Sequence, residues 1–113
     1  MHKFLYKICS RSEWNSARKK SEFQGTKKDI LDGYIHLSKK NQVKKTLLKH
    51  FFNKNKLVLL KINISKLDNI IWEKSAEELL FPHLYSFLSL KYIKNSYKIM
   101  LNKDGSHNLP PHF

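Results

Sequence analysis

Apolar and polar positions alternate with period two near the start of the chain, where Phe4, Tyr6 and Ile8 interleave with Leu5, Lys7 and Cys9. That spacing predicts a β-strand. Ser10 and Glu13 follow with the spacing of a capping box, in which hydroxyl and carboxylate each satisfy the other's backbone amide. A helix over 11–21 is expected next, with Trp14 and Ala17 facing inward, until Gln24-Gly25-Thr26 breaks it. Lys27 to Leu31 predicts a helical turn closed by Asp32-Gly33.

Tyr34 to Ser38 predicts a short strand with Ile35 and Leu37 on one face and Tyr34, His36 and Ser38 on the other. Ser38 is also placed to cap a helix carrying Val43, Leu47 and Phe51 at four-residue intervals. Leu57 to Ile64 is the clearest strand, and its wholly apolar first half predicts a central position in a sheet. Ile70 to Glu73 predicts another strand. Phe81-Pro82-His83-Leu84-Tyr85 is expected as a structured loop, because proline disfavours helix at the residue before it. Tyr92 to Leu101 holds one or two more strands, and Asp104-Gly105 turns the chain. The order of elements predicts one α+β domain over 1–104, a bent sheet carrying two main helices, with 105–113 as an extended tail.

A net charge of +13 invites a nucleic-acid partner. The composition also has a plainer reading. Of the 22 basic residues only Arg11 and Arg18 are arginines, and lysine, asparagine and isoleucine, all rich in A/T codons, are in excess. Arginine is the preferred bidentate fork for phosphates and bases, so its scarcity sets an RNA- or DNA-binding role behind a solvated basic surface. A single cysteine, Cys9, excludes an internal disulfide and Cys-rich zinc modules, and no metal is expected. On a strand, Cys9 reads as a small buried hydrophobe. No apolar run is long enough for a membrane span and the first residues do not read as a signal peptide, so a cytoplasmic protein with no membrane partner is expected.

Phosphate-binding glycine motifs are absent, which leaves two segments as candidate chemistry. In the first, Tyr34, His36 and Ser38 share one strand face. His36 is either a proton carrier and ribose or phosphate contact, or a structural histidine. In the second, Trp72-Glu73 precedes His83 and Tyr85. Aromatic rings beside a carboxylate and an imidazole suit a stacked heterocycle next to a sugar, and equally a core with a surface glutamate.

Tyr6-Lys7-Ile8, Trp14, Gly33 to Ser38, Gln42-Val43, Leu57 to Leu60, Trp72-Glu73 and Phe81 to Tyr85 occur in this order. On these motifs the chain resembles a bacterial family known as domain of unknown function 952. More distantly, Tyr34 to Ser38, a helix and Leu57 to Asn63 resemble the corresponding stretch of NAD-dependent RNA 2′-phosphotransferases. Those enzymes belong to the ADP-ribosyltransferase-like fold, a split, bent β-sheet holding NAD in an open cleft. The resemblance implies a transferase using NAD as co-substrate, or a related nucleotide. His36, Glu73 and His83 would be catalytic, and Lys7, Tyr34, Ser38, Trp72 and Tyr85 would contact ligand. Lys7 and Ile8 stand where the superfamily usually has His-Gly, so Lys7 is assigned a phosphate contact. Either Glu73 or His83 fills the superfamily's third position. The alternatives are a non-catalytic small-ligand or nucleotide-binding module and an RNA/DNA-binding protein.

Overall fold

The computed structural model describes residues 2–113. Its longest pairings are made by three strands, β1 (Phe4–Ser10), β4 (Leu57–Asn63) and β8 (Ile93–Leu101). The two-residue strands β2 (Glu22–Phe23) and β3 (Ile35–His36) precede β4 in the chain. After β4 come β5 (Ile70–Lys74), β6 (Leu80–Leu84), β7 (Leu88–Ser89) and, beyond β8, β9 (His107–Asn108). Three α-helices punctuate them: α1 (Arg11–Lys20), α2 (Lys27–Asp32) and α3 (Val43–His50). The result is a small single-domain α+β structure with several antiparallel sheets and few helices.

The strands group as β1-β4-β8-β9, β2-β7 and β3-β6-β5. As its apolar run predicts, β4 is central, between β1 and β8. Beyond β3, Ser38 pairs with Tyr6 through both backbone bonds, at 2.8 and 2.9 Å, so the four-stranded and three-stranded sheets are stitched together at that point. Two apolar clusters lie on opposite faces of β1 and β4. Leu5, Cys9, Val58, Leu60 and Ile62 pack with Ile35, Leu37 and Leu84, whereas Tyr6, Ile8, Leu57 and Leu59 pack with Val43 and Leu47 of α3.

Local chemistry sets the helix limits. Ser10 Oγ accepts from the Glu13 amide at 3.1 Å, and the Ser10 amide donates to Glu13 Oε1 at 2.8 Å. Thr26 and Asp29 form a second box, at 3.2 and 2.8 Å. Gly25, at φ +115°, leads into it, and a Cβ there would stand 2.8 Å from that of Asp29, so only glycine lets the chain approach this closely. Gly33 closes α2 in the left-handed conformation, with its amide bonded to Asp29 O at 2.9 Å.

Three local expectations are corrected. Ser21, at φ 57°, ends α1 before Gln24, and β2 follows directly. Ser38 does not cap a helix, since a 3₁₀ turn at Lys40–Gln42 intervenes before α3 and Gln42 Oε1 accepts from the Lys39 amide at 2.9 Å. The expected loop around Pro82 is strand β6, in the middle of its sheet. Proline is tolerated there because Pro82 directs its carbonyl toward Leu37, at 3.0 Å, past the last residue of β3. Its nitrogen faces the same edge, so β5 never requires an N–H from it. Within residues 105–113, β9 pairs with β8, and Leu109 and Phe113 pack against the α3 cluster.

Candidate functional site

Strand register decides which polar groups meet. His36 lies directly opposite His83 in the β3–β6 pair, and His83 lies opposite Ile71 in the β6–β5 pair. Directly paired residues project to the same side, and so do residues two apart. His36, His83 and Glu73 therefore share the face opposite the buried Ile35 and Leu84. The two imidazoles meet edge to face with centroids 5.4 Å apart. Tyr34 stacks on His83 at 4.1 Å and contacts His36 at 4.6 Å and Tyr85 at 5.2 Å.

Each imidazole has a carboxylate at Nδ1. Glu73 Oε1 stands 2.8 Å from His83 Nδ1 and also accepts from the Tyr85 hydroxyl at 2.5 Å. Because a carboxylate only accepts, His83 Nδ1 carries the hydrogen. No hydrogen-bond partner of His83 Nε2 is found among the described residues, and the ring is buried beneath Tyr34. The bonds from Tyr85 and His83 hold the Glu73 carboxyl below the usual range, and the same bond to Glu73 pushes the Tyr85 hydroxyl up to about 12.

His36 is held differently. Asp29 Oδ1 lies 2.6 Å from its Nδ1 and Asp32 Oδ2 lies 3.0 Å from its Nε2. Both ring nitrogens of His36 therefore face carboxylates of α2. Asp29 is almost wholly buried and also accepts from the His36 and Thr26 amides, at 3.1 and 2.8 Å. Burial by itself would raise its carboxyl. The hydrogen bond from His36 and the charge of Lys7 outweigh burial and hold the group well below the usual carboxylate range.

The structure brings His36, Glu73, His83, Tyr34 and Tyr85 together, and separates three other candidates from them. Lys7 is buried, with Nζ 2.8 and 2.9 Å from the two Asp29 oxygens and 2.9 Å from His36 O. The ammonium is thus committed to Asp29 and a backbone carbonyl inside the protein, out of reach of a phosphate at the surface. Lys7 instead braces the Asp29–His36 pair from β1. Trp72 pairs with Pro82 and so lies on the face opposite Glu73 and His83, where it meets the His2 ring at 5.4 Å. Ser38 is buried, and its hydroxyl lies 3.4 Å from Thr46 Oγ1 of α3. Cys9 is fully buried, and burial pushes its thiol up to about 12, as suits a small hydrophobe rather than a nucleophile.

Asp29 and Asp32 escaped the sequence reading. Their one local sign was the Thr26–Asp29 capping spacing with Asp32 a turn later on α2. Nothing in that pattern shows that α2 lies against Lys7 and His36. The site is a shallow aromatic and imidazole surface. A hollow of about 440 Å³ lies elsewhere, beside Asn15, Arg18 and Lys19 of α1. That hollow is wide and has no carboxylate or imidazole in its lining, whereas the histidine face has both, so the chemistry is assigned to the latter.

Comparison with known proteins agrees with this architecture. The crystal structure of protein CC0527 from Caulobacter crescentus is similar with a TM-score of 0.88 and 36% sequence identity, over 94% of each chain. The solution NMR structure of the same protein gives 0.85 and 35%, over 99% of this chain and 97% of that one. No curated protein matches the chain. No helix among the described residues is long and apolar enough to cross a membrane. The profile of the family described as "Protein of unknown function (DUF952)" matches residues 8–96, and the chain belongs to that family.

Proposed function

We propose that the histidine face is the reaction centre of a nucleotide-directed transferase of the ADP-ribosyltransferase-like class, with NAD or a related nucleotide as substrate. The observation that carries this reading is the pair of imidazoles on one sheet face, 5.4 Å apart and each backed by a carboxylate. Separate antiparallel sheets joined at the Tyr6–Ser38 bridge support this reading, since that class is expected to have a split sheet. In such a transfer the bond between the ribose anomeric carbon and nicotinamide breaks, and its electron pair leaves on the nicotinamide nitrogen. An acceptor oxygen or nitrogen bonds to the anomeric carbon, and its proton passes to His83 Nε2. Glu73 holds the His83 ring in the required tautomer and places negative charge near the oxocarbenium-like centre. Tyr34 and Tyr85 supply faces for a flat ring.

Titration with NAD and ADP-ribose, with nicotinamide release followed by chromatography, tests this. Binding below millimolar concentration and release abolished in His83→Ala are expected. Absence of heat from both ligands at millimolar concentration overturns the reading. Binding that leaves the nucleotide intact supports a second one, a non-catalytic nucleotide-binding module. That reading is favoured by Lys7, whose ammonium is committed to Asp29 at the position where the superfamily usually has a histidine.

A further inference from the structure

The histidine face uses almost none of the lysines that make this chain basic. Acidic residues are absent from Gly33 to Leu67 and from Leu79 to Lys103, stretches that contain β4, β8 and α3. On the face of the four-stranded sheet shared by Phe4, Tyr6 and Lys61, cations collect around aromatic rings. The Nζ atoms of Lys61, Lys94 and Lys3 stand 4.5, 5.2 and 5.4 Å from the centre of the half-buried Phe4 ring. Phe113, also half-buried, meets Tyr6 edge-on at 5.3 Å and carries Lys40 Nζ at 5.2 Å. Among the described residues, the lysines paired with carboxylates are Lys7, Lys28, Lys45, Lys49 and Lys74, and none of the four ring-side lysines is among them.

We propose that this face docks single-stranded nucleic acid, with Lys3, Lys40, Lys61 and Lys94 on phosphates and Phe4 and Phe113 as stacking rings. Unpaired ammonium groups next to partly open aromatic faces match a chain that alternates phosphate and base. The platform has no arginine, so phosphates are met as point charges and binding is blind to base identity. A membrane surface fits less well. Asn63 and Asn95 stand opposite Phe4 and Lys61 across the sheet, and they offer no apolar side chain to insert among lipid tails.

Fluorescence anisotropy with a labelled twelve-nucleotide oligo-uridine tests the proposal. Four phosphate contacts predict roughly fifty-fold weaker binding at 200 mM than at 50 mM salt. Changing Lys3, Lys40, Lys61 and Lys94 together to glutamine should abolish most of the affinity and flatten that slope. The same change at Lys19, Lys20, Lys27 and Lys103, an equal loss of charge elsewhere, should leave binding within two-fold. Phe4→Leu keeps apolar volume and should weaken binding about five-fold or more with an unchanged slope. Phe113→Leu provides the same readout if the Phe4 variant fails to fold, and His83→Ala should have no effect. Equal losses in the two lysine sets would reduce the effect to net charge and overturn the proposal. So would binding to phosphatidylserine vesicles without binding to the oligonucleotide.

Discussion

The four-stranded sheet and the histidine face are built on opposite physical terms. In the first, β1 and β4 pair over seven residues and bury Leu5, Leu59, Leu60 and Ile62 completely. Its cohesion comes from apolar area removed from water. In the second, β3 pairs through only two residues, and a buried ion pair with the bonds around Asp29 takes over the work of alignment. Apolar burial is non-directional and tolerates adjustment, whereas ionic and hydrogen-bonded networks need every partner in place. The difference teaches that α2 is less a packing helix than a bracket. It holds Asp29 against Lys7 and His36 while Ile30 and Leu31 remain exposed.

Breaking the bracket should have the largest effect. Asp29→Ala leaves the Lys7 ammonium buried without a partner and should cost about 3–5 kcal/mol in urea unfolding. Lys7→Met combined with Asp29→Asn should cost clearly less than Asp29→Ala, because no charge is then stranded. A double variant as unstable as the single one would show that α2 matters through packing after all. On the apolar side, Leu60→Ala should cost about 2–5 kcal/mol. Unlike Asp29→Ala, it should leave the His36 and His83 ring resonances in NMR spectra close to their native positions.

A smaller effect follows from acid. The Asp29 carboxyl is depressed in the folded chain, so as pH falls below its ordinary value near 3.8 the unfolded state takes up the proton first. The stability this group contributes is complete above that value and is lost as pH falls through the folded one. Wild-type stability should therefore drop more steeply below pH 4 than that of Lys7→Met/Asp29→Asn, and parallel curves would contradict the assignment. The smallest effect is expected at Cys9. Its buried thiol, pushed up to about 12, should resist iodoacetamide at pH 8 until the protein is unfolded. Rapid native labelling would mean that the sheet opens more readily than its packing implies.

Much of the fold was legible from neighbouring residues. The alternation through Phe4–Cys9, the Ser10–Glu13 box, Gly33 closing a short helix and the apolar run at Leu57–Leu60 all reappear in place. These are local rules, in which residues at most a few positions apart determine the outcome. Pro82 misled because its meaning depends on which strand lies at its edge, and the Ser38 cap failed because a 3₁₀ turn competed for the same residues. His36, Glu73 and His83 stood out by chemical type, yet their meeting did not follow from type.

The sequence alone determined most of where the chain goes extended or helical, the Pro82 segment excepted, and that a basic, single-cysteine α+β domain results, because backbone preference and periodicity act over a turn or two. Tertiary structure alone decided that Lys7 is spent on Asp29, that Trp72 lies on the opposite face, and that an aspartate from α2 completes the histidine site. Those outcomes rest on contacts between residues 7 to 47 positions apart, from Asp29–His36 to His36–His83. Register and burial, set by the whole chain at once, bring such residues together, and no local pattern records the result.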